Sequence, residues 1–299
     1  GEKTCAGDGL CSTSCPLKIN MGELTHQLRA QNLPKGSLGY RAGEFAANHF
    51  AGVKSALRPL LSLADIGHRV MGESAMTGIA KAMHSVGLPR WQPSMPLAYN
   101  ISNDLRQTHS MQTVRENKPL KVVYYPSCIN QTMGPDHKHR TDAAQVEVMI
   151  SILERAGYEV IFPERMEQLC CGTIWESKGM GDIADRKTAE LEEALWRASK
   201  EGLYPVLCDQ SPCLHRMREK IGKMKLYEPA EFILTYVADK LTFTPIDATV
   251  ALHITCSMRR MGLADKIIAL AKMCAKRVVL PEGVGCCGFA GDKGFTEPE

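Results

Sequence analysis

The period of the hydrophobic pattern changes partway along the chain. Between residues 21 and 90, Leu24 and Leu28, then Phe45, Ala46, His49, Phe50, Val53, Leu57, Leu60 and Leu61 recur at intervals of three and four, the spacing of an amphipathic helix. Residues 1–20 form a loop region rich in Cys, Gly, Ser and Thr, and residues 91–118 are polar and proline-punctuated, which predicts a linker. From Lys121 onward, short apolar runs alternate with helical stretches. That alternation predicts parallel strands joined by helical crossovers, an α/β domain.

Within this half one unit occurs twice. The first runs from Val122 through Tyr125 to Cys128 and Met133-Gly134, then a helical stretch (Ala143 to Ala156), Val160 to Glu164, and Cys170-Cys171-Gly172. The second runs from Val250 to Cys256 and Met261-Gly262, then Leu263 to Ala275, Val278 to Glu282, and Cys286-Cys287-Gly288. Both copies keep the same spacing from Cys to Met-Gly and the same Pro-Glu after the second strand, so the unit is a duplication. Ligands of such sheets gather at the carboxyl ends of strands, where Cys128 and Cys256 are expected. The first unit continues through a helix (Asp185 to Ala198) and a strand ending in Cys208 to reach Cys213; the second stops before any such continuation. Together with a start at Gly1 just ahead of a cysteine motif, this leads us to expect a piece of a longer polypeptide. The predicted segments are 1–20, 21–118, 119–240 for the first repeat and 241–299 for the second.

Adjacent cysteines are poor disulfide partners, because bridged Cα atoms normally sit farther apart than consecutive residues allow. Two thiolates on one turn, followed by a Gly that admits close approach, suit metal binding. The remaining cysteines cluster as ligands do: 12 in 299 residues, too few for a secreted disulfide scaffold. We therefore expect a reducing, cytoplasmic setting. A net charge of +3 gives no support to nucleic-acid binding. The sequence has no apolar run long enough to span a membrane and no signal peptide.

Three constellations carry the chemistry. Cys5, Asp8, Cys11 and Cys15-Pro16 follow the ferredoxin spacing with Asp8 in place of the second cysteine. That substitution suits a [3Fe–4S] cluster, or a [4Fe–4S] cluster with one iron bound through oxygen; a zinc or structural knot is the competing reading. Cys128, Cys170, Cys171 and Cys213 form the second set, with an iron–sulfur cluster and tetrahedral zinc as rival occupants. Cys256, Cys286 and Cys287 form the third. Among the rest, Cys274 reads as a small buried hydrophobe sharing a helix face with Ile267 and Leu270, and Cys208 as strand packing in preference to a fifth ligand of the second set. His137 and His139 read as a solvated loop, and His253 as a histidine within a strand. Arg259 and Arg260 suit either a solvated helix start or donors to cluster sulfides. No Gly-rich nucleotide loop and no nucleophile elbow is present, so the chemistry on offer is electron transfer.

The repeat resembles the cysteine-rich CCG domain of heterodisulfide reductases and of glycolate-oxidase-like iron–sulfur proteins. The wording of Thr4 to Pro16 and of Gly285 to Phe295 makes the chain look like the C-terminal iron–sulfur half of bacterial FAD-linked D-lactate dehydrogenases. The resemblance implies an oxidoreductase in which FAD on a separate domain of the same polypeptide oxidises a D-2-hydroxy acid, D-lactate above all. Iron–sulfur clusters then pass electrons to a quinone or cytochrome, with peripheral association at the cytoplasmic face of a membrane. It also implies non-cubane clusters on the cysteines of both repeats. The chain departs from the family pattern at Gln210, which stands where the first cysteine of a C-x-x-C pair belongs. This leaves an ordinary [4Fe–4S] cluster or zinc in contention, and a fragment without its flavin is not expected to oxidise lactate alone. A purely structural zinc domain and a protein that reduces thiol/disulfide pairs are the alternatives.

Overall fold

The computed structural model describes residues 4–7, 9–85, 90–101 and 120–283. In chain order the helical part comprises α1 (Cys11–Ser14), α2 (Met21–Asn32), α3 (Leu38–Asn48) and α4 (Phe50–His84). Then come β1 (Pro96–Ala98), β2 (Leu120–Tyr125), β3 (Met133–Asp136), α5 (Gln145–Arg155) and β4 (Tyr158–Ile161). They are followed by α6 (Thr173–Glu176), α7 (Gly181–Ala198), β5 (Val206–Cys208), α8 (Ser211–Lys220), β6 (Leu226–Tyr227) and α9 (Pro229–Phe232). A π-turn (Ile233–Val237) leads on to β7 (Ile246–Ala251), α10 (Cys256–Arg260), α11 (Ala264–Cys274) and β8 (Ala275–Val279). The described residues fall into two compact units, one holding residues up to 101 with 128–148, the other 120–127 with 149–283.

In the first unit the helix period is realised as α2, α3 and α4. Asn20 caps α2 by accepting from the Gly22 and Glu23 amides, and Ser37 caps α3 through the Tyr40 amide. Phe50 and Leu61 are buried, whereas Leu38, Phe45 and Leu60 stay largely exposed, so only part of the apolar stripe forms core. A left-handed break at Gly72 (φ 78°) divides α4. Buried Lys54 donates to Gln131 Oε1 at 2.6 Å, and Arg58 donates to the Tyr99 and Gln131 carbonyls, which ties α4 to the turn after Cys128. Within the predicted linker, β1 pairs antiparallel with β3.

The second unit has the expected α/β character. Its main sheet is wholly parallel in the order β4-β2-β5-β6. Val122, Val123, Tyr124, Val206, Leu207 and Cys208 are fully buried, the continuous apolar run of central parallel strands covered on both faces. The strand order reverses between β2 and β5, the switch point at whose carboxyl ends ligands of such sheets gather. The second repeat builds the same element pair, β7 and β8, also parallel and joined by α11. The second strand of each repeat starts and ends earlier than its hydrophobic run predicts. β4 stops two residues before Pro163 and β8 two before Pro281, since proline has no amide to donate to a ladder.

Candidate metal centre

The Cys170-Cys171-Gly172 turn lies between β4 and α6. Gly172 has φ +92°, and a Cβ there would stand 2.4 Å from the Ala184 carbonyl oxygen and 2.9 Å from Arg216 Nε. Only glycine fits. Both cysteines are buried. The Gly172 amide donates to Cys170 Sγ at 3.4 Å, and Cys171 Sγ lies 3.2 Å from Thr173 Oγ1. Hydrogen bonds from Cys170 and Cys213 hold the Cys171 thiol well below its ordinary value; burial works the other way, and Thr173 assists the lowering. The structure thus brings together Cys170, Cys171 and Cys213, three of the four thiols of the first-repeat set.

Cys213 reaches this place on the first turn of α8, where Gln210 occupies the N-cap position without a side-chain cap bond. The preceding residue was missed by sequence reasoning: Asp209, buried just past β5. Its carboxylate accepts from the Tyr124 hydroxyl and from the Ser127 amide, both at 2.8 Å, joining the loops after β2 and β5 at the switch point. Its position between an apolar strand and Ser-Pro-Cys was the available signal.

Arg216, also on α8, is buried and was likewise missed. It forms ion pairs with Glu176 and Asp185 and donates from Nε to the Cys171 carbonyl at 3.0 Å. Burial pushes the Asp185 carboxyl up, but Lys220 and Arg216 outweigh it and hold the group below its usual value. Ser211 Oγ sits 3.0 Å from Thr255 Oγ1 and 2.7 Å from Ser257 Oγ. These hydroxyls set the start of α10, with Cys256 as its first residue, beside the start of α8.

Among the described residues, no three Cys, His, Asp or Glu side chains already converge in metal-ligand geometry. The donor set still fits a thiophilic occupant. Two adjacent buried thiols with Cys213 hydrogen-bonded to one of them, an amide donating to sulfur and a glycine at the turn are features that a cluster or zinc site uses.

Cys128 belongs to the first unit, where its carbonyl accepts from Thr132 Oγ1 at 2.8 Å. In the N-terminal loop the Gly7 amide donates to Cys5 Sγ at 3.4 Å and the Met21 amide to Cys11 Sγ at 3.3 Å. Cys15 is half-buried. Asp8, Cys286 and Cys287 lie outside the described residues.

Several secondary expectations are corrected. Cys274 is exposed, because it ends a helix with no buried residue. His137 is no solvated loop residue: its Nδ1 lies 2.7 Å from Asp65 Oδ1 and its ring packs on His68 at 4.2 Å. His139 is exposed and bonded to Asp136. His253 follows β7 rather than lying within it, and its Nε2 is buried without a hydrogen bond. Arg259 donates to the Ile254 carbonyl and Arg260 pairs with Glu219, so both have protein partners at the end of α10. Cys208 is fully buried in β5, as expected of strand packing.

The Cys-Cys-Gly turn and Cys213 sit at the edge of a parallel α/β sheet. Residues 122–218, the segment that carries Cys128, Cys170, Cys171 and Cys213, match the CCG cysteine-rich domain family. Lactate utilization protein A of Halalkalibacterium halodurans is 26% identical over 191 residues, 58% of this chain and 72% of that protein. Lactate utilization protein A 1 of Bacillus mycoides is 26% identical over 197 residues, 60% of this chain and 75% of the relative. No solved structure matches.

Proposed function

We propose that the chain is the iron–sulfur electron-transfer portion of a lactate-oxidising system, working with an FAD-dependent D-2-hydroxy-acid dehydrogenase domain. D-lactate is the favoured substrate, and a quinone or cytochrome is the acceptor. The observation that carries this reading is the gathering of Cys170, Cys171 and Cys213 inside a CCG domain, in a chain similar to two lactate utilization proteins. Cys128 joins these ligands on the sequence pattern. Cys256, Cys286 and Cys287 hold a second centre, and Cys5, Asp8, Cys11 and Cys15 a third in the ferredoxin-like loop. Bound at such cysteines, an iron–sulfur cluster supplies one-electron donor and acceptor capacity.

The chain's own residues do the rest. Cys170 and Cys171 are buried away from water, which protects the sulfurs from oxidation. The Gly172 amide donates to Cys170 Sγ, the Thr173 hydroxyl lies beside Cys171 Sγ, and Asp209 ties the loops after β2 and β5 together. The functional division follows residues 1–20, 21–118, 119–240 and 241–299. No described helix is long and apolar enough to cross a membrane; the reading puts the chain in the cytoplasm, at the membrane face where its acceptor is reached. The test is the iron, sulfide and zinc content of anaerobically purified protein. Iron and sulfide with visible absorbance that bleaches on reduction are expected. A colourless protein carrying stoichiometric zinc overturns the reading in favour of a structural zinc domain.

A further inference from the structure

One peptide group links the buried ionic frame to a ligand sulfur. The carbonyl of Cys171 and the amide N–H of Gly172 are opposite ends of the same planar unit. At one end the carbonyl accepts from Thr188 Oγ1 at 2.7 Å and from Arg216 Nε at 3.0 Å. At the other end the N–H donates to Cys170 Sγ at 3.4 Å. Cys170, Cys171, Thr188 and Arg216 are all at most 3% exposed, so water does not screen this chain of bonds.

We propose that Thr188 and Arg216 are positioning residues that raise the reduction potential of the centre held by Cys170, acting through this peptide. The inference rests on the iron–sulfur reading above. Donors to a carbonyl draw electron density toward its oxygen and leave the N–H of the same unit a stronger donor. Such cooperative strengthening grows in a low-dielectric interior. Hydrogen bonds to cluster sulfurs are one of the settings of cluster potential, and they favour the more negative, reduced state. Arg216 does not act mainly as a bare charge, because Glu176 and Asp185 balance it. The geometry also fixes the part of Thr188: its single proton is shared between the Cys171 carbonyl and the Ala184 carbonyl at 2.9 Å, with Cys171 the nearer acceptor.

The decisive variant is Thr188→Val, which changes no charge and little volume. Potentiometric titration of the anaerobically purified chain, followed by EPR, is expected to show a lower midpoint potential in Thr188→Val and the wild-type value in Thr188→Ser. Asp185→Asn, which leaves both carbonyl donors in place, is expected to shift the potential less than Thr188→Val does. An unchanged potential in Thr188→Val, or a larger shift in Asp185→Asn, overturns the relay. The Gly172 amide proton resonance of metal-free, ¹⁵N-labelled protein provides a second readout. It should move upfield in Thr188→Val and hold its place in Thr188→Ser; no movement in the valine variant also overturns the proposal. Should Thr188→Val not fold, Thr188→Ala is read in the same two ways. Absence of iron and sulfide from the wild type defeats the iron–sulfur reading, while the Gly172 resonance still decides whether the peptide relay exists.

Discussion

The two repeats give the same local instructions and receive different surroundings. β2 and β4 form a parallel pair, as do β7 and β8; each pair is joined through a helix, and each second strand stops two residues short of a proline. Val122 lies six residues before Cys128, and Val250 six before Cys256. Yet β2 is buried along its last four residues while β7 is almost wholly exposed. The difference lies in β5 and α8. β5 covers the open edge of β2, and α8 then delivers Cys213 to Cys171 and Arg216 to the back of the Cys-Cys-Gly turn. In the first repeat, then, a third strand and its helix bury the strand pair and bring Cys213 to the thiol turn.

The largest expected contrast is in metal content. Cys171→Ser should empty the first-repeat centre, since it removes the thiol that both Cys170 and Cys213 address. Cys256→Ser should leave that centre's iron and sulfide in place. Equal losses in the two variants, measured by elemental and sulfide analysis, would mean that the repeats share one centre. The glycines give the next contrast. Gly172→Ala meets Ala184 and Arg216 at a left-handed position, and should cost about 3 kcal/mol of unfolding free energy in urea. Gly262→Ala, at φ +69° with open space around its Cβ, should cost only about 1 kcal/mol, from backbone strain alone.

Much of this architecture is legible in the sequence, and the remainder is hidden for a physical cause. The duplication, the parallel strands and the helices follow from period and spacing, which are local. The grouping of cysteines put Cys213 with Cys170 and Cys171, and Cys213 is a hydrogen-bond partner of Cys171 in the fold. The roles of Asp209, Thr188 and Arg216 were not, because each depends on a partner far along the chain: Tyr124, Cys171 and Glu176 respectively. Buried polar residues announce themselves by composition only as exceptions, and Arg216 in a basic helix looks like an ordinary surface charge. Cys274 shows the reverse failure. Its helix packs Ile267 and Ile268 against Ile254, Met258 and Leu263, but Cys274 stands at the helix end and stays exposed.

The repeats are compared most directly at matched valines. Val122 is fully buried and stands opposite Val160, whereas Val250 is half-buried opposite Val278. Val122→Ala removes two methyl groups from a packed sheet and leaves a cavity, so a loss of about 2 kcal/mol is expected. Val250→Ala should lose less than about 1 kcal/mol, because its methyls are already partly hydrated. Equal losses in chemical denaturation would show that β7 is covered in solution by a partner, and would remove the distinction between the repeats.

The smallest effect tests the ionic frame of the first repeat. The Asp185 carboxyl lies below its ordinary value of 3.8 because Lys220 and Arg216 outweigh the cost of its partial burial. Its folded-state value is therefore depressed relative to the unfolded chain. The resulting stabilisation is present above the ordinary value and disappears as pH falls through the lower, folded-state value. Asp185 is more than half exposed, so solvent screens the pair and the contribution is small. Wild type and Asp185→Asn compared by thermal unfolding should differ slightly at neutral pH, with wild type the more stable, and converge on acidification below the usual carboxylate range. If the gap instead widens with acid, the Asp185–Arg216 contact is not what holds α8 against the Cys-Cys-Gly turn, and Glu176 must carry that role.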